Sequence, residues 1–286
     1  MTNMNNSKFK EPFAHLLPLK RWIEKHSISS NIHTINMKKS LGQNFLLNLD
    51  ITDKISLLAS IPQHEVVMEI GPGLGSLTIS LLSNYLTMKK LYVLEMDYGL
   101  KSHLENIQAV DNRLEIIMGD CMNINIPLDV RHMVANLPYN VSVPFIIKCL
   151  QNKNLVTMTF LVQKEVGERF ISLHNKKSYG KISILAQLFS KVSILYKLGP
   201  KAFTPPPKVD SLLLRFERRN DHLLHLWPLL EDLVRLMFQH RRKVLRSTVG
   251  KKYPLLIPYM GKYRCEHFTP EQVLEYANLL YENQNS

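Results

Sequence analysis

Seven short apolar runs recur along this chain, and several of them close on a glycine or a single polar residue. They lie at 66–70, 91–95, 114–118, 132–135, 156–162, 192–198 and 209–216. Each has the length and β-branched or aliphatic character of a strand. Between the early ones the apolar spacing is helical, at 74–86 and again through 104. Strands alternating with helices predict an α/β fold, a mostly parallel sheet with helices on both faces. Ligands of such sheets bind beyond the carboxyl ends of the strands. That rule selects Gly71, Glu95, Asp120 and Asn136 as the first residues to weigh. After Phe216 the link 217–221 is charged, and 223–245 and 270–281 read as helices with polar breaks between them. They predict a small, all-helical C-terminal domain. No internal repeat is apparent.

Composition narrows the class. A chain of 286 residues with 45% apolar and 21% charged residues has room for a sizeable core. It is neither collagen-like nor low-complexity, and it is no disulfide scaffold. No apolar run approaches the roughly 18 residues of a membrane span. Cys121, Cys149 and Cys265 are odd in number, far apart and without a His/Cys cluster, so they read as reduced thiols in a cytosolic protein with no metal site. Lys and Arg outnumber Asp and Glu by 36 to 24, a net charge of +12. Such a field favours nucleic acid, a ribosome or an anionic surface. The alternative is a scatter of solvated lysines.

Residues 1–36 stand apart as an N-terminal extension. They begin polar, and Phe13, Leu16, Leu17, Leu19, Trp22 and Ile23 form a weak amphipathic pattern that Pro18 interrupts. Two readings are favoured: an upstream start with Met37 as the true first residue, or a flexible basic arm. Glu11 and Glu24 argue against an organellar transit peptide.

The strand ends carry chemistry. The first runs into Gly71-Pro72-Gly73-Leu74-Gly75-Ser76, where glycines let backbone approach a ligand at a helix start. The dinucleotide pattern G-x-G-x-x-G is not met, because position 76 is Ser. Glu95 closes the second strand, where an acid accepts hydrogen bonds from ribose hydroxyls; the competing reading is an exposed strand-end acid. Asp120 closes the third, either as acceptor for an adenine amino group or as a turn residue. Together they describe a pocket for an adenosine without pyrophosphate, which S-adenosylmethionine fits.

The fourth strand ends in Asn136-Leu137-Pro138-Tyr139. The adenine amino group is a poor nucleophile, since its lone pair is delocalised into the ring. The Asn136 carboxamide oxygen and the Leu137 carbonyl are suited to accept its two hydrogens and hold the nitrogen in a more tetrahedral, more nucleophilic form. Pro138 stiffens the turn, and Tyr139 offers a ring face to the base. Such a stack contributes about 1–3 kcal/mol, against the few kcal/mol of unstacking. An ordinary Asn-x-Pro turn is the plainer alternative.

With these residues in order, the chain resembles the small-subunit rRNA adenine dimethyltransferases, the KsgA family. The resemblance rests on Gly42-Gln43-Asn44-Phe45-Leu46, Glu69-Ile70-Gly71-Pro72-Gly73, Leu94-Glu95-Met96-Asp97, Asn136-Leu137-Pro138-Tyr139-Asn140, Gln163-Lys164-Glu165-Val166 and Tyr179-Gly180. It continues through the segment 203–211 and His240-Arg241-Arg242-Lys243, in the family's order. It implies a seven-stranded class I S-adenosylmethionine-dependent methyltransferase sheet over 37–217 and a helical RNA-binding domain over 218–286. The implied reaction puts two methyls on N6 of each of two adjacent adenines in a small-subunit rRNA hairpin loop, near its 3′ end, during ribosome biogenesis. The implied cofactor-binding residues are Asn44, Leu46, Gly71, Glu95, Asp120 and Asn136. Asn136, Leu137, Pro138 and Tyr139 would orient the base, and Phe203 would be its second aromatic wall or a packed core residue. No metal is implied.

RNA recognition falls to Lys208, Arg241, Arg242, Lys243 and Arg246, with Lys38 and Lys39 at the cleft mouth. On a helix Arg242 and Arg246 would share a face. The partner expected is the immature small ribosomal subunit, met by a cytoplasmic monomer with no membrane contact. Three alternatives stand beside this reading: a large-subunit adenine methyltransferase of the macrolide-resistance type, an assembly factor whose binding outweighs catalysis, and an NAD-dependent oxidoreductase. DNA adenine methylation is disfavoured because the C-terminal part is too small for a DNA-recognition domain.

Overall fold

The computed structural model describes residues 44–285. The readings of residues 1–36, and of 37–43 with Lys38 and Lys39, lie outside the described residues. Cα proximity divides the chain into two compact units. One holds 44–125, Val134–Asn136 and Lys201–Pro207; the other holds Ile126–Met133, Leu137–Pro200 and 208–285.

The first unit opens with β1 (Phe45–Leu46), which pairs antiparallel with β8 (Phe203–Thr204), Leu46 opposite Phe203. Helix α1 (Leu49–Ala59) starts where the Asn48 side chain accepts from the Asp50 and Ile51 amides at 2.9 and 3.2 Å. That cap satisfies two of the helix's orphan donors. Strands β2 (Val66–Ile70), β3 (Lys90–Glu95) and β4 (Leu114–Met118) run parallel, β3 between the other two. Their connections carry α2 (Ser76–Asn84) and α3 (Lys101–Gln108). Val67, Leu81, Leu82, Leu91, Val93, Leu104 and Ile107 are fully buried, which accounts for the predominantly apolar character of β2 and β3.

Strand β5 (His132–Asn136) starts in the second unit and ends with Val134–Asn136 in the first, and from Leu137 the chain continues in the second unit. There α4 (Ser142–Gln151), β6 (Thr157–Gln163), α5 (Lys164–Phe170), α6 (Lys181–Phe189), β7 (Ser190–Leu198) and β9 (Ser211–Arg218) follow. Phe160 meets Phe145 at 6.0 Å and Phe216 at 6.2 Å, and Phe216 meets Phe170 edge-on at 5.3 Å. These four rings are fully buried and form the unit's core. The C-terminal helices are α7 (Trp227–Gln239), the single-turn α8 (Val249–Lys252) and α9 (Ile257–Met260), and α10 (Pro270–Asn285).

The sheet has seven strands in the order β4-β3-β2-β5-β6-β9-β7. The sheet follows the expected fold class with one addition at its edge, and one expectation, the helix over 223–245, needs correction. The sheet is mixed at one edge, for β9 runs antiparallel to both β6 and β7. No long helix lies between β7 and β9, so the chain returns directly and must reverse direction. The helix expected at 223–245 is shorter. Residues 221–226 form a 3₁₀ turn, and α7 stops at Gln239. Beyond it, the Leu245 amide bonds the Tyr263 carbonyl at 2.9 Å and the Arg246 amide bonds Gly261 at 3.2 Å. Those bonds and the complete burial of Leu245 outweigh helix propensity, so Arg241, Arg242 and Lys243 occupy a turn and Arg246 a 3₁₀ turn. The shared helical face for Arg242 and Arg246 does not exist.

Candidate functional site

In the first unit the sequence-selected strand ends converge. After β2 the chain turns at Gly71, Gly73 and Gly75, with φ of 65°, 59° and 82°. Only glycine takes such angles without strain. The Gly71 amide bonds the Leu94 carbonyl at 2.9 Å, tying the turn to the end of β3. A Cβ on Gly73 would lie 2.9 Å from the ring of Phe45, so the segment 44–46 closes against this turn. Leu46 is buried and pairs with Phe203.

Glu95 is 6% exposed. Its Oε2 accepts from the Gly73 amide at 3.1 Å, and its Oε1 from the Met96 and Asp97 amides at 2.9 and 2.8 Å. Burial raises its pKa, and the three amide bonds oppose that rise. A carboxylate has about four acceptor positions, so roughly one is left, on Oε2, for a hydroxyl donor. The Gly119 amide bonds the Glu95 carbonyl at 2.8 Å, which draws the end of β4 alongside. The next residue, Asp120, accepts from the Met122 amide at 2.9 Å and the Asn123 side chain at 3.0 Å, so it holds its own turn as well.

Asn136, at the end of β5, donates its amide nitrogen to the Asn44 carbonyl at 2.9 Å. With the nitrogen anchored, Oδ1 is the acceptor end of the carboxamide. The structure therefore brings Asn44, Leu46, Gly71, Glu95, Asp120 and Asn136 into one unit, together with Phe203. Phe203 is only 3% exposed and packs in the ribbon opposite Leu46.

In the second unit the Leu137 amide bonds the Leu161 carbonyl at 3.2 Å, and Ser142 Oγ donates to the Tyr139 carbonyl at 3.1 Å. Tyr139 is half-buried, its hydroxyl 2.9 Å from Ser211 Oγ at the start of β9. Burial pushes its pKa up, so the phenol stays neutral. Arg241 donates to the Lys176 carbonyl at 3.0 Å, while Lys208, Arg242, Lys243 and Arg246 are exposed.

Sequence reasoning overlooked two groups. Phe45 lies inside a motif, but its part does not show in the sequence because its contact with Gly73 is tertiary. Glu69 is fully buried, and Thr78 Oγ1 donates to its Oε2 at 2.6 Å. Burial, partly opposed by Thr78, raises its pKa to about 8, so it carries a proton at neutral pH. An acid inside the apolar run Val66-Val67-Met68-Glu69-Ile70 was the available signal. Among the described residues no cluster of His, Cys, Asp and Glu is placed to hold a metal ion.

Two observations suit an S-adenosylmethionine ligand. Glu95 keeps an acceptor position at the turn's edge. Ser76 Oγ, at the first residue of α2, is buried without a hydrogen-bond partner.

A seven-stranded sheet of this order, with its glycine turn after β2 and polar strand ends beside it, defines a class I methyltransferase fold. Solved structures agree. A dimethyladenosine transferase from Plasmodium falciparum superposes with a TM-score of 0.73 at 26% identity, over 83% of this chain and 96% of that one. A 23S rRNA methyltransferase, ErmE, shares the fold with a TM-score of 0.63 at 23% identity, over 83% and 100%. The chain belongs to the ribosomal RNA adenine dimethylase family, whose model matches residues 34–262. A relative from Francisella tularensis subsp. novicida (strain U112), ribosomal RNA small subunit methyltransferase A, is 35% identical over 257 residues, 85% of this chain and 97% of its own length.

Proposed function

We propose that this protein dimethylates N6 of two adjacent adenines in a hairpin loop near the 3′ end of small-subunit rRNA, acting on the immature small ribosomal subunit. The observation that carries the reading is the anchored Asn136 carboxamide at the end of β5. S-adenosylmethionine, the methyl donor of this family's reaction, supplies a methyl group already activated on a sulfonium. Gly71 and its turn would admit it by close backbone approach, and Glu95 would accept a ribose hydroxyl on the remaining acceptor position of Oε2. Asp120 would accept from the adenine amino group of the donor, and Asn44 and Leu46 would be further residues holding it.

Asn136 Oδ1 and the Leu137 carbonyl accept the two N6 hydrogens of the target, which raises nitrogen lone-pair character. Pro138 limits the turn's freedom. Tyr139 stacks on the base, and Phe203 is assigned as its second aromatic contact. No side chain is assigned as a strong base, because the amine becomes acidic once methylated. Orientation supplies most of the rate.

The catalytic part is assigned to 37–217 and RNA binding to 218–286, with Lys208, Arg241, Arg242, Lys243 and Arg246 meeting phosphates. We assign the protein to the cytoplasm as a monomer. Among the described residues no helix is long and apolar enough to cross a membrane. The large-subunit alternative is not favoured, since ErmE shares only the fold. Labelled S-adenosylmethionine offered with unmethylated small subunits, large subunits or duplex DNA tests the reading. Label is expected in the small subunit; label only in the large subunit would overturn it.

A further inference from the structure

Between Leu233 and Cys265 the chain carries nine lysines and arginines and no aspartate or glutamate. Arg235 and Lys252 are paired with Asp232 at 2.6 and 2.8 Å. Six others, Arg242, Lys243, Arg246, Lys251, Lys262 and Arg264, are exposed. The two bonds from Leu245 and Arg246 to Tyr263 and Gly261 sew the segment 244–247 to 261–263, so the cations of both segments lie side by side.

Two tyrosines stand in this field with much of their surface in water: Tyr259 is 52% exposed and Tyr263 42%. Each is braced by a buried aromatic. Tyr259 lies 6.1 Å from Tyr276, and Tyr263 lies edge-on to Phe268 at 6.0 Å. Phe268 and Tyr276 meet edge-on at 5.7 Å, so the four rings form one continuous cluster with its two ends exposed. Lys262 Nζ sits 5.4 Å from the centroid of Tyr263. A braced ring loses little freedom when a second ring stacks on it. Cations that track phosphates, interleaved with aromatic faces, are what single-stranded RNA requires. A duplex offers such rings no base faces, because its bases are stacked on one another.

We propose that Tyr259 and Tyr263, with Arg246 and Lys262 beside them, form a second RNA contact that takes unstacked bases of a single strand. The inference rests on the rRNA-methylating reading for the class of ligand. It adds a base contact to a surface assigned above only to phosphates.

The test uses the full chain and two fluorescent probes, a short single-stranded oligoribonucleotide of mixed sequence and a blunt-ended, fully paired RNA duplex of similar composition. Anisotropy is read for the wild type and for Tyr259→Leu, Tyr263→Leu and Tyr263→Phe. Each leucine variant is expected to weaken single-strand binding by about fivefold to a hundredfold, the equivalent of one lost stack, with duplex binding unchanged. Tyr263→Phe should bind as the wild type does. Unchanged single-strand binding, or equal loss on both probes, would overturn the proposal. Should a leucine variant unfold, the wild type is cross-linked to a thiouridine-containing strand. Adducts on Tyr259 or Tyr263 support the contact, and adducts only elsewhere refute it. Methyl transfer to small subunits is measured in parallel on the wild type. Active protein whose leucine variants still bind the strand refutes the tyrosine contact alone. Inactive protein refutes the enzymatic reading, while the anisotropy still decides the tyrosines.

Discussion

The side-chain nitrogen of Asn136 donates to the backbone carbonyl of Asn44 at 2.9 Å, across 92 residues of sequence. A backbone acceptor survives substitution of its own side chain, and this separates the two residues experimentally. Asn136→Ala should lower kcat for methyl transfer by about a hundredfold or more, the scale of a lost positioning contact. Asn44→Ala should raise KM for S-adenosylmethionine while leaving kcat within about tenfold, since the anchor for Asn136 remains. Steady-state kinetics on small subunits reads both. Equal falls in kcat would mean that the Asn44 side chain, not its carbonyl, matters.

Gly73 has a φ of 59° and no space for a Cβ, which would lie 2.9 Å from the Phe45 ring. The left-handed conformation alone costs a substituted residue about 1–2 kcal/mol. Gly73→Ala should therefore weaken S-adenosylmethionine binding by about tenfold or more in a calorimetric titration. Adding Phe45→Leu should recover part of the loss, because the two positions touch. No recovery would place the whole cost in the backbone.

Glu69 makes a prediction about pH. Burial pushes its pKa up to about 8 in the folded protein, against an ordinary value of 4.5. Between those values the folded state holds a proton that the unfolded chain has released, so this group's contribution to stability falls as pH rises. It is fully present below about pH 4.5 and gone above about pH 8. Glu69→Gln removes the effect. Denaturant unfolding at several pH values should show the variant gaining on the wild type by roughly 1.4 kcal/mol per pH unit across this window, then no further. Parallel curves would contradict a protonated Glu69.

Tyr139 offers a hydroxyl to Ser211 at 2.9 Å and a ring to the proposed base. Tyr139→Phe loses the hydroxyl only and should cost about 1 kcal/mol of stability with kcat/KM within a few-fold. Tyr139→Ala loses the ring and should lower kcat/KM by about fivefold to a hundredfold. If both variants lose activity equally, the hydroxyl rather than the ring serves the reaction.

Much of the catalytic sheet was legible because its strands are predominantly apolar runs that stop at Gly71, Glu95, Gly119 or Asn136. Those stops mark where a buried strand meets a ligand-binding edge. The reversed β9 was not legible: its apolar character is the same in either direction, and only the direct return from β7 sets it. The turn at Arg241, Arg242 and Lys243 was misread as helix because its cause lies in backbone bonds to Gly261 and Tyr263. Local spacing carries no record of such partners. The same holds for Phe45 against Gly73 and for Asn44 beneath Asn136.

The account's central claim is the identity of the product. Small subunits lacking the modification would be incubated with the protein and S-adenosylmethionine, and the rRNA mapped by mass spectrometry beside an Asn136→Ala control. The account predicts N6,N6-dimethyladenosine at two neighbouring positions of one hairpin loop with the wild type and, in the same initial-rate window, about a hundredfold less with the variant. Methylation of another base, of large-subunit RNA, or equally by both proteins would contradict it.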